Sequence, residues 1–93
     1  MKISFTEDFL FALNEQVDYI ARDKPKAARK FKNDLIQKIK KDIQSPYSFK
    51  KSIYFNDETI RDYAYKGYTA VYKIDKKQEA IFVLGFIKYK DSL

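Results

Sequence analysis

The chain has 93 residues, a formal net charge of +6, and no Cys, His or Trp. Its length predicts a single domain over residues 1–93, because domains usually contain about 100–150 residues. The missing residue types exclude a thiolate nucleophile, a disulfide framework, a Cys/His zinc site and a Ser-His-Asp triad.

Apolar stretches in the sequence are too short to cross a membrane. The longest run, residues 80–87, is far below the roughly 20 residues that span a bilayer. The chain also does not open on a basic stretch followed by an apolar one, as a secretory signal does. We therefore expect a soluble, basic, cytoplasmic domain with no membrane partner.

The first half of the chain is predicted to form a short strand and two helices. Residues 2–5 alternate polar and apolar, which is typical of a strand with one buried face. Thr6 and the acidic residues after it suit a helix N-cap and first turn, and apolar residues recur at helical spacing to about Arg22. Pro25 fits the first turn of a second helix, which Pro46 ends. Because the connection is so short, the two helices are expected to form an antiparallel hairpin.

The second half is predicted to be mostly sheet. Residues 47–57 show no clean period and are expected to form a loop. Strands are predicted at residues 58–65, 68–75 and 79–87, and the turn between the first two at Lys66-Gly67. The last strand is nearly all apolar, which predicts a central position covered on both faces.

The element order β-α-α-β-β-β predicts an α+β fold, with a helical hairpin packed on a mostly antiparallel four-stranded sheet. The first strand cannot fold back through the helices, so it has to pair with a strand that is distant in sequence. The sheet face away from the helices is expected to be partly open and cationic.

Arg61 lies in the middle of a predicted strand, on the same side as Tyr63 and Tyr65. A guanidinium there needs water, an anion or another polar partner, because an unpaired buried charge is costly. Two interpretations stay open. Arg61 either lies over tyrosine rings and pairs with a carboxylate such as that of Asp75, or clamps a phosphate or carboxylate of a ligand.

A second group of cations comes from the central loop, the Lys66-Gly67 turn and the C-terminus. Its members are Lys50, Lys51, Lys66, Lys88 and Lys90. Each alone can be a solvated surface charge. If the fold brings them close to Arg61, they form one positive surface that attracts nucleic acid or an acidic protein segment. Most Phe and Tyr residues lie in residues 47–93, which fits either strand preference or such a surface.

Few residues could transfer protons. Without His, proton transfer would depend on Lys, Tyr or a carboxylate with a shifted pKa. No carboxylate pair has a spacing that suggests a metal site, and no cofactor is expected. The sequence permits an enzyme without requiring one.

Several segments together resemble the RelE/ParE superfamily, the toxins of type II toxin–antitoxin modules. Residues 23–31, DKPKAARKF, resemble the D-x-P-x-A-A-x-x-F start of that family's second helix. Ile60-Arg61 resembles its hydrophobic-Arg strand, and residues 67–74 and 81–88 resemble its last two strands. The resemblance covers nearly the whole chain, in the same element order.

This resemblance implies a growth-arresting toxin, of the kind associated with plasmid stabilisation, that is neutralised by a cognate antitoxin encoded beside it. In the family the complex commonly represses its own operon, so contact with operator DNA is expected only through the antitoxin. RelE-like members cleave mRNA on the ribosome, whereas ParE-like members block DNA gyrase.

The resemblance also implies roles for single residues. Arg61 matches the strand arginine found across the superfamily. A RelE-like, metal-independent mRNA endonuclease would use Arg61, Lys88 and Tyr89 as its catalytic residues. Target or nucleic-acid binding would fall to Lys50, Lys51, Arg61, Lys66, Lys88 and Lys90.

The long helical hairpin and short C-terminal tail favour a ParE-like toxin that binds DNA gyrase. The alternatives are the RelE-like endonuclease and a non-toxic relative that only binds a partner protein.

Overall fold

The computed structural model describes residues 1–88. Its elements are β1 (Lys2–Phe5), α1 (Glu7–Ala21), α2 (Pro25–Asp42), a 3₁₀ turn (Pro46–Ser48), β2 (Ile60–Tyr65), β3 (Tyr68–Asp75) and β4 (Ala80–Lys88). This order confirms the predicted α+β arrangement. Within the described part, neither helix combines the length and apolarity that a bilayer crossing requires.

The four strands form one mixed sheet in the order β1-β4-β3-β2. β4 is central, as predicted, and pairs in parallel with β1 and antiparallel with β3. β2 pairs antiparallel with β3 and lies at the opposite side of the sheet from β1. The prediction that the first strand pairs with a distant one is therefore confirmed, with Lys2 opposite Ala80.

Both helices begin at the residues that the sequence indicates. The hydroxyl of Thr6 accepts a hydrogen bond from the Phe9 N–H at 3.2 Å, which caps the first turn of α1. Pro25 opens α2, where its missing N–H leaves no helical hydrogen bond unmade. Lys32 donates to the Asn14 side chain at 2.8 Å. Asn14 lies as far before the end of α1 as Lys32 lies after the start of α2, which fits an antiparallel hairpin.

The hydrophobic core lies between the hairpin and one face of the sheet. Phe9 and Leu13 of α1, and Leu35 and Ile39 of α2, are fully buried. They pack with sheet residues that alternate along the strands, apart from one register shift at Leu84 of β4: Tyr63, Ala70, Tyr72, Ile74, Ile81, Val83 and Phe86. This alternation defines the helix-covered face and leaves the intervening side chains on the open face.

β2 begins at Ile60, later than predicted, because a turn precedes it. The Asp57 carboxylate accepts hydrogen bonds from the Thr59 N–H at 2.9 Å and from the Thr59 hydroxyl at 2.7 Å. These bonds hold the pKa of Asp57 below its usual value. Lys73 adds an ion pair to Asp57 at 3.6 Å.

The β2–β3 hairpin closes through the predicted turn at Lys66-Gly67. Lys66 has a φ of 47° and Gly67 a φ of 82°. Positive φ at both central residues is the geometry that two-residue hairpin turns prefer, because it matches the twist of the strands.

Two buried tyrosines connect the sheet to the last residue of α2 and to the 3₁₀ turn that follows it. The Tyr63 hydroxyl donates to the Asp42 carboxylate, and the Tyr72 hydroxyl donates to the Pro46 carbonyl. Burial raises the pKa of both hydroxyls, and the bond to Asp42 raises the pKa of Tyr63 further. Both phenols are therefore held in the protonated form.

These pKa shifts predict a loss of stability in alkali. The folded state binds each phenolic proton more tightly than the unfolded chain, so the stabilisation is complete below the ordinary tyrosine pKa of about 10 and is lost as pH rises above it. We expect Tyr63→Phe and Tyr72→Phe to lose less unfolding free energy than the wild type between about pH 8 and pH 11, in urea titrations. Tyr19→Phe, at an exposed position, is the control. Equal alkaline losses in all four proteins would contradict the assignment.

Candidate functional site

A groove lies at the outer edge of β2, between the segment that follows α2 and the β2–β3 turn. Its volume is about 740 Å³. Phe49, Ile53 and Ala64 contribute apolar walls, and the lysines along it are Lys50, Lys51 and Lys66. We call it the edge groove.

One wall of the edge groove is a short piece of chain that pairs with β2. Lys51 forms an antiparallel bridge with Arg61. The Ser52 N–H donates to the Ile60 carbonyl at 2.8 Å, and the Asp62 N–H donates to the Lys50 carbonyl at 3.0 Å. The predicted loop at residues 47–57 therefore contains a 3₁₀ turn and a piece that covers the edge of the sheet.

Next to the groove, three consecutive apolar residues are exposed. Ile53 is 79% exposed, Tyr54 42% and Phe55 45%. We call these residues the apolar tip. Contiguous apolar surface on a soluble domain commonly marks a site of interaction with another protein.

Arg61 is on the helix-covered face, at the sheet edge, and its guanidinium bonds to the chain itself. Its Nε donates to the Glu58 carbonyl and its Nη1 to the Phe49 carbonyl, each at 2.9 Å. Its Cζ lies 5.3 Å from the centre of the Tyr47 ring. Arg61 therefore lies over a tyrosine ring, as one interpretation has it, but its partners are carbonyls rather than Asp75.

The structure brings only some of the predicted site residues together. Lys50, Lys51 and Lys66 share the edge groove. Lys88 lies elsewhere: it is opposite Tyr68 on β3, and its Nζ is 5.9 Å from the centre of the Tyr19 ring on α1. The predictions for Tyr89 and Lys90 lie outside the described residues.

The expectation of a cationic open face is wrong for the described part of the sheet. Register puts Phe82 and Ile87 on that face, and both are half-buried apolar residues. Val71 on the same face is almost fully buried. Lys73 is there as well, but it is paired with Asp57 and Thr59. Three other lysines of the predicted set, Lys50, Lys51 and Lys66, lie at the edge groove instead of on this face.

The groove is better suited to binding than to proton transfer. Of the two tyrosines that line it, Tyr65 and Tyr68, the second donates its hydroxyl to the Gln16 side chain at 3.3 Å. The two tyrosines with a raised pKa, Tyr63 and Tyr72, are buried in the core outside the groove. Among residues 1–88, no cluster of three or more acidic side chains could hold a metal ion. Lysines beside apolar walls suit a partner segment that carries both acidic and apolar side chains.

Sequence reasoning missed the apolar tip and the role of Asp62. The Asp62 Oδ2 accepts a hydrogen bond from the Ile53 N–H at 3.1 Å, which joins β2 to the tip. The run Ile53-Tyr54-Phe55 within a stretch that shows no strand or helix period was the available signal. No pattern in the sequence indicates the Asp62 contact, because it depends on tertiary pairing.

Comparison with known proteins gives one family and one fold. A family model described as the ParE toxin of the type II toxin–antitoxin system parDE matches residues 3–92. The structure is similar to that of the chromosomal ParDE toxin–antitoxin system from P. aeruginosa, with a TM-score of 0.77 and 15% sequence identity over 97% of each chain. At this identity the match shows a shared fold. No curated protein matches the chain significantly.

The exposure of the apolar tip predicts that it contributes little to stability. We expect Ile53→Ser/Phe55→Ser to change the unfolding free energy by less than about 2 kcal/mol, because Ile53 buries little area and Phe55 only about half of its own. The same change should lower binding of the dye ANS, which reports exposed apolar surface. Phe11→Ser, at an exposed position of α1, controls for the loss of an exposed aromatic ring. A destabilisation of several kcal/mol would show that the tip is packed in solution.

Proposed function

The chain belongs to the ParE toxin family of type II toxin–antitoxin systems, and we propose that it arrests growth by binding DNA gyrase. We propose further that its cognate antitoxin neutralises it by occupying the edge groove. Family membership supports the toxin role and implies an antitoxin partner. The proposal for the target rests on the kind of surface that the chain presents.

The observation that carries this proposal is the pairing of the edge groove with the apolar tip. Ile53 belongs to both, so the two form one continuous surface. Apolar side chains in such a surface supply most of the affinity for a protein partner. The lysines beside them favour an acidic partner and speed its association. This combination supports a toxin that acts by binding a protein.

Cleavage of RNA has less support. Arg61 is opposite Tyr72 near the middle of β3, whereas Lys88 is opposite Tyr68 at its start, and the two cations lie on strands at opposite sides of β3. The Arg61 guanidinium also uses two donors on backbone carbonyls. A catalytic site that needs both cations on one phosphate is therefore not favoured by the described residues.

An antitoxin segment with acidic and apolar side chains would fit the edge groove. Its carboxylates would meet Lys50, Lys51 and Lys66, and its apolar residues would cover the walls and the tip. The same segment would then cover the surface that we propose for gyrase. Neutralisation would follow from competition, without a change in the fold of the toxin.

Gyrase inhibition tests the target. We expect the purified chain to inhibit supercoiling by gyrase, or to trap cleaved DNA, at micromolar concentration. Lys50→Glu/Lys51→Glu should raise the inhibitory concentration about tenfold, because reversed charges repel an acidic partner. Lys26→Glu/Arg29→Glu on exposed positions of α2 makes the same change in net charge away from the groove and is the matched control.

Two results would overturn the proposed target. One is the absence of any effect on gyrase while the induced chain still arrests growth. The other is codon-biased cleavage of translated mRNA during that arrest, lost in Arg61→Ala, which would establish the RelE-like activity instead. Unimpaired growth on induction would indicate the non-toxic relative.

Antitoxin binding tests the edge groove. We expect the dissociation constant of the toxin–antitoxin complex to rise with ionic strength, because salt screens contacts between surface charges. Lys50→Glu/Lys51→Glu should weaken the complex about tenfold and flatten that salt dependence. Calorimetry at two or more salt concentrations measures both. Unchanged affinity in this variant would mean that the antitoxin lies elsewhere on the toxin.

A further inference from the structure

We infer that Arg61 and Asp62 are positioning residues, which hold the loop of residues 49–58 in the shape that presents the apolar tip. In this role Arg61 does not contact the target itself. The inference rests on the proposed function, because it concerns the surface through which the chain would bind its protein partners.

Arg61 joins the two ends of this loop. Phe49 and Glu58 stand at its start and end, and one guanidinium bonds the carbonyls of both at 2.9 Å. Guanidinium geometry suits this task, because its donors point in fixed, different directions from one planar group. Tyr47 supports the group from the side, with its ring centre 5.3 Å from the Arg61 Cζ. No carboxylate in residues 1–88 forms an ion pair with Arg61.

Asp62 holds the apolar tip at its first residue. Its Oδ2 accepts from the Ile53 N–H at 3.1 Å, and its own N–H donates to the Lys50 carbonyl at 3.0 Å. The other carboxylate oxygen, Oδ1, is buried without a hydrogen-bond partner among the described residues. A buried oxygen in that state destabilises the fold. Within residues 1–88, the contact with Ile53 is the one hydrogen bond that the carboxylate forms.

The far end of the loop is fixed independently. The Asp57 carboxylate holds Thr59, and Lys73 bonds both residues, at 3.6 Å to Asp57 and 3.1 Å to Thr59. The tip is therefore held on both sides while its own side chains stay exposed. Such a loop loses little conformational freedom on binding, which raises affinity without an added contact.

If the Asp62 carboxylate acted on the partner by its charge alone, its removal would have the opposite effect on binding from the one that the positioning role predicts. If only charge mattered, removing an acidic group beside Lys50 and Lys51 would strengthen binding of an acidic partner. If Asp62 positions the tip, removing its acceptor weakens binding. Asp62→Ala and Asp62→Asn separate the two, because both remove the charge and only Asn keeps an acceptor for the Ile53 N–H.

Hydrogen exchange on the free, full-length chain tests the positioning role. We expect Arg61→Lys and Asp62→Ala to speed exchange of the Ser52 and Ile53 amides about tenfold, while amides of β4 exchange as in the wild type. Asp62→Asn should resemble the wild type, as should the control Arg29→Lys on α2. Unchanged exchange in the loop would overturn the inference. Equal acceleration in β4 would also overturn it, since it would mark a loss of global stability.

Binding gives the second measurement. If the competent loop shape falls to about a tenth of the population, the inhibitory concentration for gyrase and the antitoxin dissociation constant both rise about tenfold. We expect this for Arg61→Lys and Asp62→Ala, and affinity no weaker than wild type for Asp62→Asn. Wild-type potency in Arg61→Lys, or increased potency in Asp62→Ala, would overturn the inference.

The two proposals fail in different ways. If the wild type does not inhibit gyrase, the proposed target is wrong. Hydrogen exchange in the loop, and growth arrest by Arg61→Lys and Asp62→Ala, then still decide the roles of Arg61 and Asp62. If the wild type inhibits gyrase and the loop variants behave as it does, the target stands and the positioning role falls.

Discussion

The parallel pairing of β1 with β4 is the constraint on which the rest of this structure depends. It requires the chain to leave β1, cross one face as two helices, and return to the sheet with β4 in the centre. β2 is then left at the far edge, with backbone groups that β3 does not bond. An unpaired edge invites unwanted strand pairing. Here the chain's own residues 50–52 cover part of it, and the same residues carry two of the lysines of the edge groove.

The edge groove and the apolar tip therefore result from the way in which residues 50–52 cover the outer edge of β2. Arg61 donates to the carbonyls of Phe49 and Glu58, on either side of the covering segment. Asp62 donates to the Lys50 carbonyl and accepts from the Ile53 N–H, where the apolar tip begins. Three lysines lie at this edge, whereas the open face of β4 carries apolar side chains such as Phe82 and Ile87. Exposed apolar residues such as those of the tip commonly mark a site of protein interaction, and the chain belongs to the ParE toxin family.

Local signals were sufficient to predict most of the fold. Thr6 and Pro25 mark the helix starts by chemistry that acts within one turn, and Lys66-Gly67 marks a hairpin in the same way. The site was less predictable. The carbonyl partners of Arg61 lie on residues 49 and 58, and no local pattern shows that the chain between them folds back onto β2. The cationic open face was an avoidable error, because a nearly all-apolar β4 already indicates apolar residues on both faces.

Lys66 has an unfavourable backbone conformation in the β2–β3 turn, and it places its charge at the edge groove. Lysine is a poor choice for a φ of 47°, since left-handed backbone geometry crowds a Cβ and suits glycine or asparagine better. The hairpin thus gives up some conformational stability and gains a cation at the rim of the edge groove. Glycine or asparagine at this position would stabilise the turn but would remove the charge. At Lys66, the stability of the hairpin and the electrostatic attraction of a partner are therefore opposed.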